Sequence, residues 1–432
     1  MIKLLQKYLG DKESGEILSK GFSFLVIRLG GTIFSFAFTI YVTNRFGETD
    51  WGFIALGFSI FSIVSIFGRM GLDLNLVKFY SLDKNLKDSG VFYRSWIKVF
   101  LFSCVLSCLI YIFDEPLVND VFLEPKPGVL PYLHWLLLSI PFWSTVFVSA
   151  AIMRARKMNK AFAFYTMAGR FIVLLLLVLL ISHSEALFVL KAHFIGVVFV
   201  SILSFFHAFF VLKKPTLKVN QNSWAFVRES LPMMLSSSIL VLMSWMDTFV
   251  MGIYENESAI GVYNVAVKIT TLTAFSLQAI NSILAPKIAK SYASNETKVY
   301  NKLIRFSTKV NFFITLAVVT FIILFNSFLL GLFGEGFQAG VTILLILCIG
   351  QLFNSLSGSV GVVMQMIGEQ KMYQYLIVSA LFINLILTFL LTPIYGGIGA
   401  ATATVASMIF WNIAGAFYLK RNKHIQTYFN PF

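Results

Sequence analysis

Charge is what this chain has least of. Of its 432 residues only 12% are Asp, Glu, Lys or Arg, against roughly 25% in ordinary soluble domains, while 58% are hydrophobic and the mean hydropathy is +0.81. A soluble globular fold is excluded, because so little polar surface leaves most of the chain to be solvated by lipid. Cysteine is scarce too: Cys104, Cys108 and Cys348 all sit in apolar runs and read as small core hydrophobes, with no disulfide framework and no Cys/His zinc spacing. His134, His183, His193 and His207 lack metal spacing and have no acid within reach along the sequence, so each reads as a packing or interfacial residue. Among ten prolines, Pro141 is the one placed in the middle of an apolar stretch, where a kink is expected. No Gly-x-x-x-x-Gly-Lys-[Ser/Thr] loop occurs, which argues against ATP hydrolysis by this chain.

What is abundant is long apolar sequence. A bilayer core of about 30 Å needs about 20 apolar residues per helix, and twelve stretches qualify: 21–43, 52–72, 92–113, 131–152, 161–182, 187–211, 230–253, 260–284, 310–332, 338–362, 374–392 and 397–419. They are too long and too uniformly apolar for barrel strands, and open sheets leave backbone groups unpaired in hydrocarbon. The expected fold is an all-α polytopic membrane protein of twelve transmembrane helices. The opening segment MIKLLQKYLGDKESGEILSK is too charged for a signal peptide and lacks a cleavage site, so it is expected to stay attached. Ile2, Leu5 and Leu9 share a helical face away from Lys3 and Lys7, which suits a short interfacial helix; a solvated tail fits equally well.

Basic residues set the orientation. Of 34 Lys and Arg, 27 lie in the tails and even-numbered loops, counting Arg94 and Lys98 at the start of the third span with the second loop, whereas the odd-numbered loops hold Arg45 and Lys126 with ten acids. Both termini are therefore expected in the cytoplasm. The net charge of +14 then reflects topology and anionic headgroups, and nucleic acid is not implied as a partner.

The basic stretch LKKPTLKVNQNSWAFVRES divides the spans six and six. The reading is an N-terminal segment (1–20), an N-lobe (21–212), a cytoplasmic linker (213–229), a C-lobe (230–419) and a tail (420–432). Both halves start on the same side, so a repeat would be related by a pseudo-two-fold along the membrane normal. Faint identity agrees: Gly52, Ile60 and Lys78 meet Gly261, Ile269 and Lys287 at one offset, and Phe142, Ser144, Met153 and Lys160 meet Phe353, Ser355, Met364 and Lys371 at another.

Besides Arg94 and Lys98, counted with the second loop, five basic residues fall within or at the edges of spans: Arg28, Arg69, Arg170, Lys191 and Lys268, with only Asp73 and Asp247 as acids there. Such groups face a wet cavity or a partner, or snorkel to the interface. Both readings stand for Arg28 and Lys268, each about 12 Å deep at 1.5 Å per residue. Arg69 and Asp73 are four apart on one helical face, the spacing of a local ion pair or of a functional one. Asp247 reads as a counter-ion for Lys268 or as a proton or cation site. Arg170 either borders a cavity or stitches helices within one half, and Lys191 anchors a span end. Gln278 and Asn281 follow Lys268 loosely on its face and suit interhelical hydrogen bonds or a polar ligand.

The run GFIALGFSIFSIVSIFGRMGLDLNLVKFYS (52–81) resembles the second span and following segment of the oligosaccharide flippase family. These are the Wzx-type O-antigen and capsule translocases of the multidrug/oligosaccharidyl-lipid/polysaccharide exporter superfamily. IMRARKMNKAFAFYTMAGR (152–170) and MQMIGEQKMYQY (364–375) resemble the loops after its fourth and tenth spans. The resemblance implies two six-helix lobes around a cavity lined by spans one, two, seven and eight. It also implies a polyprenyl-diphosphate-linked oligosaccharide as substrate, moved by alternating access from the cytoplasmic to the outer leaflet of the bacterial plasma membrane. Arg28, Arg69 and Lys268 would then meet the diphosphate, Gln278 and Asn281 the sugar hydroxyls, and Asp73 or Asp247 a coupling proton or sodium ion. Arg170 is second-tier. No cofactor is implied; membrane lipids and polysaccharide polymerase or ligase machinery are the implied partners. A multidrug exporter of the same superfamily is the nearest alternative, although it would favour cavity acids. A polymerase or ligase is a remoter one, because the largest outer loop, DEPLVNDVFLEPKPGV, offers no nucleophile with a base nearby.

Overall fold

The structure is a computed structural model that describes residues 12–82, 89–181, 184–212 and 223–429. Every regular element among them is helical. Residues Ile2, Leu5, Leu9 and His183, and the first ten residues of the expected linker, lie outside the described part.

Ten helical runs among the described residues are long and apolar enough to cross a membrane. Two of them are too long to cross once. Helix α1 (Lys12–Gly68) has 57 residues and α16 (Gln370–Lys423) has 54, about 85 and 80 Å against a core of about 30 Å. Each contains one residue off the helical track, Gly47 (φ 81°) in α1 and Gly396 (φ 57°) in α16. Only glycine takes these conformations without strain, so the chain turns there. The breaks fall between the expected spans 21–43 and 52–72, and between 374–392 and 397–419.

Two compact units emerge, residues 22–245 and residues 246–432 together with 1–21. The division falls inside α9 (Ser223–Tyr254), a helix that already begins within the expected linker 213–229. Its first turns, SWAFVRES, are too polar to register as span but continue the helix. Within the first unit they are tied to α2 (Leu72–Leu82) and the turn before it: Asn75 Nδ2 donates to the Phe226 carbonyl at 3.0 Å, and Ser230 Oγ to the Met70 carbonyl at 2.7 Å.

The first unit is organised on α5 (Leu130–Ala155), which packs against α2, α3 (Gly90–Ile112) and α8 (Leu187–Leu212). Its buried face carries Ser139, Ser144, Thr145, Ser149, Ala150 and Ala151, small residues that allow close helix approach where no hydrophobic drive exists between helices in lipid. Thr145 and Ser201 hydroxyls meet at 3.0 Å across that contact. Pro141 lies inside α5; Pro232, Pro286 and Pro393 also lie inside helices, but at or beyond the ends of the expected apolar stretches.

The second unit packs α14 (Val341–Ser357) against α10 (Glu257–Thr270), α12 (Thr297–Leu324) and α16. Residues 424–429 return onto its end. Thr308 Oγ1 donates to the Thr427 carbonyl at 2.7 Å, Phe429 N to the Leu356 carbonyl at 2.7 Å, and the Phe429 ring lies 4.6 Å from that of Phe312.

Candidate functional site

Arg28, Arg69, Asp73 and Arg170 fall in the first unit; Asp247, Lys268, Gln278 and Asn281 fall in the second. Of these eight, Arg69 and Asp73 are brought into a mutual ion pair. Arg69 Nη1 stands 3.5 Å from Asp73 Oδ2, its Nε donates to the Ser65 carbonyl at 3.3 Å, and the guanidinium lies 4.0 Å from the Phe147 ring centre. Both side chains are largely buried, at 11% and 15% exposure. One turn apart on opposite sides of the bend that starts α2, they hold that bend and keep the acid matched.

Arg28 is half-buried in α1, one turn before Gly31, which packs on the backbone of Met167 and Ala168. Arg170 opens α7 (Gly169–Leu180), just after a single π-helical turn, Phe164–Ala168. Its guanidinium is sandwiched by Trp143 at 4.3 Å and Phe171 at 4.6 Å, and its Nε and Nη1 are buried without hydrogen-bond partners.

In the second unit Asp247 is 5% exposed. Its carboxylate accepts from Tyr263 Oη at 3.2 Å, from Thr388 Oγ1 at 3.3 Å and from Thr404 Oγ1, with Asn384 against the same group. These residues come from α9, α10 and both halves of α16. They, rather than Lys268, surround the acid. The Oδ1 of Asn384 is buried and has no donor, so the cluster carries more oxygen acceptors than its hydroxyl protons satisfy. A proton or a small cation would be held by such a set.

Lys268 is half-buried in the last turn of α10. Gln278 and Asn281 lie on α11 (Ala274–Ala293), where Asn281 Oδ1 accepts from Ser359 Oγ at 2.5 Å and Gln278 Oε1 is buried without a donor. Asn281 thus ties α11 to the turn before α15 (Val360–Met366), while Gln278 retains an unused acceptor.

The sequence reading missed several polar residues. Tyr263, Asn384, Thr388 and Thr404 complete the Asp247 cluster; the four-residue spacing of Asn384 and Thr388 in an otherwise apolar span was the available signal. His193, expected as a packing or interfacial residue, is 1% exposed with neither ring nitrogen paired. His134 was read as lacking an acid, yet its Nε2 stands 2.5 Å from Asp114 Oδ2. The short helix Asp114–Asn119 folds the segment between α3 and α5 back onto α5, a contact invisible at a separation of twenty residues.

Ten helical runs long and apolar enough to cross a membrane, distributed over two units and carrying charged residues, mark a polytopic membrane protein. Solved structures carry the same fold. A lipid II flippase MurJ in an inward closed conformation superposes with TM-score 0.76 at 19% identity, over 92% of this chain and 87% of that one. An inward-facing multidrug transporter of the MATE family gives 0.73 at 17%, over 92% and 97%. The chain belongs to the polysaccharide biosynthesis protein family, whose model matches residues 17–292; a MatE model matches residues 232–390. Both place it in the multidrug/oligosaccharidyl-lipid/polysaccharide exporter superfamily. A curated relative, the probable low-salt glycan biosynthesis flippase Agl15 of Haloferax volcanii, is 27% identical over 209 residues; the match spans 48% of this chain and 44% of the relative.

Proposed function

We propose that this protein is a flippase for a polyprenyl-diphosphate-linked oligosaccharide, carrying it from the cytoplasmic to the outer leaflet of the plasma membrane by alternating access. The observation that carries the reading is the sign of the intramembrane charge. Arg28, Arg69, Arg170 and Lys268 are set in apolar helices, whereas the acids Asp73 and Asp247 are already engaged by Arg69 and by hydroxyls. A cationic excess in a low-dielectric setting offsets the desolvation of a diphosphate, and would repel the organic cations that a multidrug exporter carries. Family membership and the named role of the Haloferax relative support a glycan-related cargo. In this reading Arg28, Arg69 and Lys268 meet the diphosphate, and Gln278, with its unused acceptor, meets a sugar hydroxyl. Asn281 plays the same part only if its bond to Ser359 opens.

The topology that goes with this function has twelve spans, obtained by dividing α1 and α16 at their glycine breaks. Six spans lie in each of lobes 21–212 and 230–419, joined by a linker at 213–229, with both termini cytoplasmic. We assign Asp247 and its oxygen cluster to the coupling ion, proton or sodium, and Asp73 to the partner of Arg69. Polymerase or ligase machinery would receive the product outside.

Deletion of the gene tests the reading directly. Surface glycan should fall while complete, single-unit lipid-linked oligosaccharide accumulates facing the cytoplasm. Unchanged glycan, or an intermediate already facing outward, would move the protein to another export role or to a later enzymatic step.

A further inference from the structure

One buried cluster in the first unit, around Arg170, adds to the cationic excess but is given no contact with the cargo in the function proposed above. Arg170 is the twelfth of 22 residues in the run Asn159–Leu180, about 15 Å from either end and so near the bilayer centre. Two of its guanidinium nitrogens have no acceptor, and none of the ion pairs formed by the described residues involves it. On α8, His193 is fully buried with both ring nitrogens unpaired. Phe58 and Phe61 stand edge-on to the imidazole at 5.0 and 5.5 Å, and Phe61 reaches Trp143 at 6.5 Å, the ring that covers Arg170. Gly196, one turn beyond His193, packs so closely that a Cβ there would stand 3.2 Å from the Arg170 carbonyl. A chain of ring contacts, from His193 through Phe61 and Trp143 to Arg170, therefore links the two basic groups in an aromatic cage drawn from α1, α5, α7 and α8.

A cage of this kind is incomplete. Ring faces attract a cation but accept few of its hydrogen bonds, and arginine holds its charge when buried. Buried donors without acceptors are rare in native folds and mark an occupant or a function. The π-helical turn Phe164–Ala168 immediately before Arg170 adds a second sign, because such turns cluster at functional sites rather than in featureless spans. The missing component is an acceptor with a negative charge.

We propose that Arg170 and His193 form an anion site inside the first unit, with Trp143 as its wall. The ligand is a small anion that takes the Nε/Nη1 edge of Arg170 and one N–H of His193. A free halide and the phosphate of a lipid headgroup present the same chemistry. The site stands on the packing of one unit, so it holds whichever lipid the protein carries.

The purified full chain in detergent provides the test. Sodium bromide would replace sodium gluconate at constant ionic strength while the melting temperature and tryptophan fluorescence are followed; sodium pyrophosphate serves as a separate probe. A saturable rise in melting temperature with bromide, and quenching that is lost in Trp143→Phe, identify a free halide as the ligand. A saturable rise in melting temperature with pyrophosphate alone, kept in Arg28→Ala and lost in Arg170→Gln, identifies the headgroup phosphate. Arg170→Gln should abolish either response. If that variant does not fold, His193→Leu keeps guanidinium and rings and should weaken the bromide response about tenfold, the worth of one charge-assisted hydrogen bond. A bromide-soaked crystal should show an anomalous peak beside Trp143. No response to either probe and no such peak would overturn the proposal, as would a response of undiminished size in His193→Leu.

Discussion

The two units bury charge of opposite sign and settle it differently. In the second, Asp247 is enclosed by Tyr263, Thr388 and Thr404, donors from three different helical segments, so the acid is satisfied where it stands. In the first, Arg170 is enclosed by rings, with two nitrogens unpaired and His193 beside it in the same state. Ring faces contribute about 0.5–2 kcal/mol to a cation, while each unmade buried hydrogen bond costs about 1–3 kcal/mol. The acid therefore has donors on it and its cluster keeps a spare acceptor at Asn384, whereas the base's cluster has buried donors and no acceptor. The two units thus keep different polar interiors, an acid among donors in one and bases without acceptors in the other.

The sharpest way to break the comparison is to remove the wall of the basic cage. Trp143 is 5% exposed and both fills space and faces Arg170. Trp143→Ala should cost about 3–5 kcal/mol, by lost packing and a cation left without its ring. Trp143→Phe, which keeps a face, should cost clearly less. Thermal melts of the purified variants measure both. Equal melting temperatures for the two would mean that the ring's volume and face are irrelevant to Arg170.

On the acidic side the expected effect is on transport rather than folding. Asp247→Asn keeps the shape and one acceptor oxygen but removes the charge. Export should fall at least about 100-fold, equivalent to about 2.7 kcal/mol, with lipid-linked oligosaccharide retained inside and the protein still inserted. Wild-type rates that ignore both sodium and proton gradients would separate Asp247 from coupling.

Parts of this contrast were legible in the sequence and parts were not. Arg69 and Asp73 are four residues apart, a spacing that marks them as partners, although they meet across the bend between α1 and α2 rather than along one helix. The breaks at Gly47 and Gly396 fall where apolar stretches give way to turn residues. Asp247 stood out as an acid within an apolar span, yet Tyr263 and Thr404 reach it from elsewhere, 16 and 157 residues away, and only tertiary packing reveals them. Arg170 and His193 show the same limit. Each is a lone basic residue in its own span, and the cage that joins them is made of phenylalanines indistinguishable in sequence from the other members of a set of 46. The start of α9 at Ser223 was hidden for a different reason: a hydropathy window reports where a helix is apolar, not where it begins.

A smaller effect probes how the second unit is closed at its end. Gly358 (φ 75°) presses on the returning segment: a Cβ there would lie 2.4 Å from Thr308 Oγ1 and 2.5 Å from the Thr427 carbonyl. Gly358→Ala adds left-handed strain of about 1–2 kcal/mol to that clash, so about 2 kcal/mol or slightly more should be lost. Residues 424–429 should become cleavable by added protease. Resistance equal to wild type would show that the segment is held by Phe429 and Ile425 alone.

The least effect belongs to an ion pair outside the spans. Glu369, just before α16, accepts from Lys423 Nζ at 2.5 Å and from Tyr418 Oη at 2.8 Å. The bond from Lys423 first, and that from Tyr418 second, hold its carboxyl below the ordinary 4.5. A carboxyl depressed on folding stabilises the native state above its unfolded value and loses that contribution as pH falls through the folded one. Glu369→Gln should therefore lower the melting temperature only slightly at neutral pH, within the 0–1 kcal/mol of an exposed pair. The difference between wild type and variant should shrink as the pH is taken below about 4.5. A gap that widened on acidification would reverse the sign and remove Glu369 as the partner that fastens the end of α16.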